Sequence, residues 1–231
     1  MADDWRGFSV PGWSVKRVDL WRFLDCCPMS MPEFGDALNE EAAATADRKV
    51  VLGYSMGGRL ALHALLAGGP WEAGIIVSAH PGLEAEAEKV ARRASDAEWA
   101  AAALRGDWKD FLAAWNGQAV LKAPDGGRNA CGFEDRSRLE QRRQAVARSF
   151  MDWTLGGQEA LTSRLGALSC PLLWTVGDKD SKFRKLGEQV ARANPGGLEF
   201  WPAEGAGHRV PWDVPELFEK KVGEFLEGLD S

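Results

Sequence analysis

Apolar residues along this chain fall into short unbroken runs and longer periodic stretches, in alternation. Lys49 to Leu52, Gly74 to Ala79, Pro171 to Gly177 and Leu198 to Trp201 are rich in Val, Ile, Leu and Trp. Such runs, without a regular polar alternate, predict strands covered on both faces, as in a parallel sheet. Ser14 to Leu20 predicts a further short strand. Helices are predicted over 32–47, opened by Pro32 and carrying Phe34 and Leu38, and over Leu60 to Leu66, ended by Gly68-Gly69-Pro70. Another is predicted near 183–193, stopped by Asn194-Pro195-Gly196-Gly197. The last places Leu217, Phe218, Val222, Phe225, Leu226 and Leu229 on one face.

The pattern changes between Leu83 and about Ser169. That block has no strand-like run; it is rich in Ala, Glu, Arg and Trp, with helical patterns near 84–105, 107–116 and 134–151. The expected organisation is a core from residues 1–82 and 170–231, an α/β layer with a mostly parallel sheet and helices on both faces. The block at 83–169 is expected to form a helical lid over the strand ends, where such sheets hold ligands.

The first buried run ends in Gly53-Tyr54-Ser55-Met56-Gly57 and passes directly into a helical pattern. A serine at the apex of a strand-turn-helix needs small neighbours, and Gly53 and Gly57 are expected to supply them. Ser55 then projects its hydroxyl above the sheet edge, and the Met56 N–H can face a developing oxyanion. This is the nucleophile elbow of the α/β-hydrolase fold.

A serine hydroxyl needs an imidazole to take its proton, and the imidazole needs a carboxylate to fix its tautomer. In this fold the chain order is serine, acid, histidine. His208, in Glu204-Gly205-Ala206-Gly207-His208, lies in a loop between the last strand and the last helix. Asp180 is the expected acid, past the turn after the strand ending at Gly177, with Asp178 as the alternative. His63 reads as a structural helix residue. His80, at a strand end, reads as a pocket-lining residue that is not the base.

Arg59 follows Ser55 by one helical turn, where a guanidinium would favour a substrate carboxylate or form a structural ion pair. Arg92, Arg93, Arg105, Arg128, Arg136, Arg138, Arg142, Arg143, Arg148 and Arg164 crowd the helical block. Most are expected to form a solvated face paired with nearby acids.

The net charge of −6 argues against a nucleic-acid partner, and no apolar run approaches the roughly 20 residues of a membrane span. Hydrophobic residues make up 45% of the chain, enough for a globular core. Met1-Ala2-Asp3-Asp4-Trp5 is acidic and does not read as a signal peptide. Cys26, Cys27, Cys131 and Cys170 lack metal-ligand spacing and read as buried, reduced thiols, so a cytoplasmic location is expected. No metal or cofactor is expected, and no oligomeric state follows from the sequence.

The chain resembles the MenH family, 2-succinyl-6-hydroxy-2,4-cyclohexadiene-1-carboxylate synthases of menaquinone biosynthesis. The resemblance runs from about Trp5 to the C-terminus. It is carried by Gly53 to Arg59, His80-Pro81-Gly82-Leu83, Arg92 through Ser95-Asp96 to Trp99, Trp115 with Gln118, Asp180-Ser181-Lys182-Phe183, and Gly205-Ala206-Gly207-His208. It implies a lyase that removes a proton alpha to a carbonyl and expels pyruvate, with Ser55, His208 and Asp180 as the basic relay and backbone N–H groups at the oxyanion. It also implies Tyr54, Arg59, Arg92, Trp115 and Arg148 as contacts to a small substrate bearing several carboxylates. Family members usually carry tyrosine where Asn116 stands here. They also have, before the part matching Trp5, a strand that pairs beside the elbow strand and a His-Gly loop that supplies a second oxyanion N–H. The expectation is that the start lies at an internal methionine, with roughly 20–25 preceding residues absent, close to one strand and its loop. For the chain as it stands, a gap or distorted pairing beside the elbow strand is expected, with catalysis lowered about 10²–10³-fold by loss of one oxyanion donor. The other functions consistent with these residues are a serine esterase or thioesterase acting on a small acidic ester, and a catalytically impaired protein that binds acidic ligands.

Overall fold

Four strands pair into one parallel sheet in the computed structural model, which describes residues 2–121 and 136–230. The strands are β1 (Val50–Tyr54), β2 (Ala73–Val77), β3 (Leu172–Gly177) and β4 (Leu198–Ala203), and they lie side by side in chain order. Register aligns Tyr54 with Val77, and Gly177 with Ala203, so the C-terminal strand ends share one edge of the sheet. The helices are α1 (Met31–Ala43), α2 (Met56–Leu66), α3 (Glu86–Arg105), α4 (Trp108–Asn116), α5 (Arg143–Asp152), α6 (Ser181–Ala193), α7 (Val210–Asp213) and α8 (Pro215–Glu227).

The period-two geometry of a strand explains why the central strands β2 and β3 are apolar on both faces, Thr175 excepted. Ile76, Trp174 and Val176 face one core with Phe34, Leu38, Leu60, Leu62 and Val190 of α1, α2 and α6. Ile75, Val77 and Leu173 face a second core with Phe218, Val222, Phe225 and Leu226 of α8. Burial of each such side chain stabilises the fold by about 1.5–3 kcal/mol. Local signals agree with the packing: Ser30 and Glu33 form a reciprocal cap at the start of α1, with Pro32 in its first turn.

Between β2 and β3 the described residues hold helices and loops and no strand. A third apolar cluster, including Ala103, Trp108, Phe111, Leu139 and Val146, ties α3, α4 and α5 together. Its arginines are largely paired: Arg93 with Glu86, Arg143 with Glu140, Arg164 with Glu159, and Arg142 with Asp19 and Asp25. Each exposed pair contributes no more than about 1 kcal/mol. Arg128, Cys131 and the first two positions of the expected 134–151 helix lie outside the described residues; over the rest, a 3-10 stretch at Arg136–Arg142 precedes α5.

Three expectations need correction. Ser14 to Leu20 is not a strand: among the described residues none pairs with the segment to supply a ladder, and Val15, Lys16 and Arg17 are exposed. Cys26 and Cys27 are free thiols but exposed, because the loop between residues 24 and 30 runs over the surface; Cys170 is half-buried. Gly57 is not a residue that must be small, as the elbow geometry below makes clear. The gap expected beside the elbow strand has a counterpart: among the described residues no strand pairs with the outer side of β1.

His63 on α2 is buried, and its Nε2 has no partner among the described residues. Burial, reinforced by the charges of Arg59 and Arg164, lowers its pKa to about 4. The folded state therefore holds it neutral, whereas the unfolded chain takes up a proton near 6.5. Stability carried by the neutral form is complete above about pH 6.5 and is lost as the pH falls toward 4, by up to about 1.4 kcal/mol per pH unit. Urea unfolding at a series of pH values is expected to show this slope, made shallower in His63→Leu.

Candidate active site

The strand β1 delivers Ser55 to the C-terminal edge of the sheet, and α2 begins at the next residue. Ser55 has φ 52° and ψ −113°, a conformation that costs a non-glycine residue about 1–3 kcal/mol. The surroundings hold it there: its N–H donates to the Val77 carbonyl at 2.8 Å, and its carbonyl accepts from Arg59 N–H at 3.1 Å. The close approaches are at Gly53 and Gly58. A Cβ on Gly53 would lie 2.4 Å from the Gly57 carbonyl oxygen, and one on Gly58 2.8 Å from Ala79 Cβ. A Cβ on Gly57 would meet only Leu20, at 3.8 Å. Gly53→Ala and Gly58→Ala are each expected to lower stability by about 1–3 kcal/mol. Gly57→Ala is expected to raise it by up to about 1 kcal/mol, as alanine replaces a helical glycine. Thermal unfolding of the three variants checks the contrast.

Asp180 is the N-cap of α6, where its Oδ1 accepts from Phe183 N–H at 3.2 Å. Capping leaves Oδ2 aimed at the histidine loop, 2.8 Å from His208 Nδ1. His208 Nε2 lies 3.2 Å from Ser55 Oγ. In the neutral imidazole, Nδ1–H donates to Asp180, which leaves Nε2 free to accept the Ser55 hydroxyl proton. The structure thus brings Ser55, His208 and Asp180 into one line, while Asp178 makes no hydrogen bond to the imidazole. The loop is held from below: Gly207 N–H donates to Asp213 Oδ2 at 2.8 Å, and a Cβ on Gly177 would lie 2.0 Å from the Gly207 carbonyl oxygen. Phe183 and Tyr54 pack against the His208 ring at 4.5 Å and 5.6 Å.

A cavity of about 490 Å³ opens over Ser55 and runs along the outer side of β1. Tyr54, Met56, Arg59, His80, Arg92 and Trp115 are in its wall. The Met56 N–H, first in α2, has no intrahelical acceptor and is available to an oxyanion. The Tyr54 hydroxyl is enclosed with no partner among the described residues, and burial pushes its pKa up. Arg92 Nε contacts both oxygens of buried Asp96 at 2.9 Å, and Asp96 also accepts from the Thr154 hydroxyl. Trp115 packs edge-on to Trp99 and Phe150.

Arg59 is buried, yet its recorded partners are neutral: Gln158 Oε1 at 3.2 Å, the Trp153 carbonyl at 2.9 Å and Met31 Sδ at 3.6 Å. Burial, then repulsion from Arg92, lowers its pKa to about 10, so it stays charged at neutral pH. No carboxylate pairs with it among the described residues, which removes the structural ion pair considered from sequence. Arg148 is also placed differently from expectation. Its guanidinium donates to the Leu24 and Asp25 carbonyls and is absent from the cavity wall, because it anchors the surface loop there. Gln158 and Asp213 escaped the sequence reading, since neither stands in a recognisable motif and each acts only through the residue it holds.

A family model described as "Alpha/beta hydrolase family" matches residues 4–221. The 2-succinyl-6-hydroxy-2,4-cyclohexadiene-1-carboxylate synthase of Citrobacter koseri is 34% identical over 190 residues, covering 80% of this chain and 75% of that protein. The chain belongs to the MenH branch of the alpha/beta hydrolase family. The synthase of the same name from Salmonella paratyphi B is 33% identical over 142 residues, 61% of this chain; the match spans 56% of the Salmonella protein's length. In fold, this MenH-family enzyme is similar to MenH from S. aureus, with a TM-score of 0.76 at 20% identity, covering 96% of this chain and 81% of that one. A thermophilic esterase from Thermogutta terrifontis shares the fold with a TM-score of 0.64 at 22% identity, covering 88% and 74%.

No helix among the described residues is long and apolar enough to cross a membrane.

Proposed function

We propose that this enzyme eliminates pyruvate from 2-succinyl-5-enolpyruvyl-6-hydroxy-3-cyclohexene-1-carboxylate in menaquinone biosynthesis, with Ser55 as the base. The observation that carries the reading is the charge on Arg59, left without a carboxylate, in the same cavity as a serine aligned with His208 and Asp180. A desolvated, preorganised cation of this kind favours an anionic guest. The synthase relatives, matched over 80% of this chain at 34% identity, support the substrate class.

In the proposed reaction, Ser55 passes its proton to His208 Nε2, and Asp180 stabilises the imidazolium. The alkoxide takes the proton on the carbon alpha to a carbonyl. The electron pair moves through the ring and breaks the C–O bond to the enolpyruvyl group, while the Met56 N–H stabilises the enolate-like oxygen. The departing enolate takes the proton from His208 and becomes pyruvate, which restores both side chains. Arg59 and Arg92 hold substrate carboxylates, and Tyr54 and Trp115 shape the cavity around the ring.

The test is to supply the cyclohexene substrate and a panel of small ester and thioester substrates to the same preparation. Pyruvate, read by coupled reduction to lactate, is the expected dominant product. Rapid ester turnover with no pyruvate would replace this reading with a hydrolase; tight substrate binding with no turnover of either kind would replace it with a binding protein.

A further inference from the structure

His80 stands three residues beyond β2, in the turn His80-Pro81-Gly82-Leu83, and lines the cavity while only 8% exposed. Its Nδ1 accepts a hydrogen bond from Gly82 N–H at 3.1 Å. An imidazole nitrogen that accepts carries no proton, so the proton of the neutral ring sits on Nε2. The turn enforces this tautomer. Gly82 has φ 120°, and a Cβ there would lie 2.2 Å from the Glu159 carbonyl oxygen. The Pro81 carbonyl accepts from Leu161 N–H at 2.7 Å, and the His80 carbonyl accepts from Gln158 Nε2 at 3.3 Å. The same Gln158 holds Arg59.

The Nε2 of His80 is not enclosed by protein and meets no acceptor among the described residues. Its ring lies edge-on to Phe183 at 6.3 Å, and Phe183 packs on His208, so the ring shares a wall with the Ser55 relay. Lys182, Arg59 and Arg92 are the charged groups facing it, and together with burial they lower its pKa to about 4. The ring is thus neutral across the working pH range. It cannot act as a base there, because Nδ1 is occupied and Nε2 already carries a proton.

We propose that His80 is a substrate-binding residue whose neutral Nε2–H donates to an oxygen of a substrate carboxylate held in the same cavity by Arg59 and Arg92. The inference rests on the carboxylate-bearing substrate proposed above and assigns a donor for it. A neutral donor adds direction without a further charge beside three cations, and its strength does not change with pH near neutrality. Hydrogen bonds to charged groups of this sort are worth about one to two orders of magnitude in affinity.

The test compares His80→Leu, which removes the donor, with His80→Gln, whose amide can donate from a similar position. His80→Leu is expected to raise KM for the cyclohexene substrate at least 10-fold with kcat within about threefold, and His80→Gln to recover most of the loss. An unchanged KM in His80→Leu, or equal losses in the two variants, overturns the assignment. Nitrogen-15 NMR of the wild type supplies a readout separate from turnover. A single Nε2–H tautomer from pH 8 to pH 5, whose proton resonance shifts when 1,2-benzenedicarboxylate is added, is expected. An Nδ1–H tautomer, or a resonance indifferent to the dicarboxylate, overturns the proposal even if pyruvate is released. If pyruvate is not released, the lyase reading falls, and the dicarboxylate titration alone decides whether His80 serves an anionic ligand.

Discussion

Ser55→Ala is expected to lower pyruvate release by about 10²–10⁴-fold, the usual contribution of a positioned base. The change removes one oxygen and leaves the backbone problem at φ 52° as it was, so the fold should survive. His208→Ala should cost a similar factor, since Nε2 at 3.2 Å from Ser55 Oγ has no other function in the geometry. The double variant should be little worse than either single one, because residues that act as a unit lose their effect together. Steady-state rates of the three variants check this. Losses that multiply would mean that Ser55 and His208 work separately. Asp180→Asn tests the third member: it keeps the cap on α6, but its amide can donate to Nδ1 and favour the wrong imidazole tautomer, and a loss no larger than for Ser55 is expected.

The second large effect concerns affinity. Arg59→Met is expected to raise KM about 10–150-fold, the equivalent of a charge-assisted hydrogen bond of about 1.5–3 kcal/mol, with a smaller change in kcat. Stability should shift little. The variant frees the Trp153 carbonyl and Gln158, which costs something, but it also removes a buried charge that has no carboxylate in direct contact and is only partly offset by Asp96. Had Arg59 belonged to a buried ion pair, its loss would instead destabilise by about 3–5 kcal/mol and leave KM alone. Parallel urea titrations and kinetics separate the two outcomes. Arg59→Lys should recover only part of the affinity, because lysine restores the charge without the planar fork that reaches Gln158 and the Trp153 carbonyl at once.

Much of this architecture is legible because the relevant forces act locally. A strand covered on both faces must be apolar at nearly every position, so β2 stands out as an unbroken apolar run and β3 as one interrupted only by buried Thr175. Helix starts are marked locally too, which is why Pro32 can be read near the start of α1, while the caps at Ser30 and Asp180 emerge only in the structure. In the sequence Asp180 is preferred over Asp178 for its place past the turn after Gly177; the structure adds the cap, which turns one carboxylate oxygen toward the helix and the other toward His208.

What was not legible depends on where distant segments meet. Ser14 to Leu20 has strand-like residues, but a strand exists only with a neighbour, and none of the described residues pairs with it. The elbow motif contains three glycines in close succession, and the approach of Ala79 Cβ and the Gly53 carbonyl shows that Gly58, not Gly57, must be bare. Arg148 looks like any other arginine in the helical block until the carbonyls of Leu24 and Asp25 are seen to hold it. The isolation of the Arg59 charge is likewise a matter of which side chains fail to arrive. Sequence spacing brought Arg59 near Ser55, but it could not tell a substrate-facing cation from a paired one.

The most direct test of the account is the intact mass of the enzyme quenched during turnover of the cyclohexene substrate, recorded as pyruvate accumulates. A base returns its proton and forms no covalent bond, so Ser55 should carry no added mass at any time while pyruvate appears. An adduct on Ser55 that forms in the first turnover and decays with product release would contradict the account, because the serine would then be acting as a nucleophile.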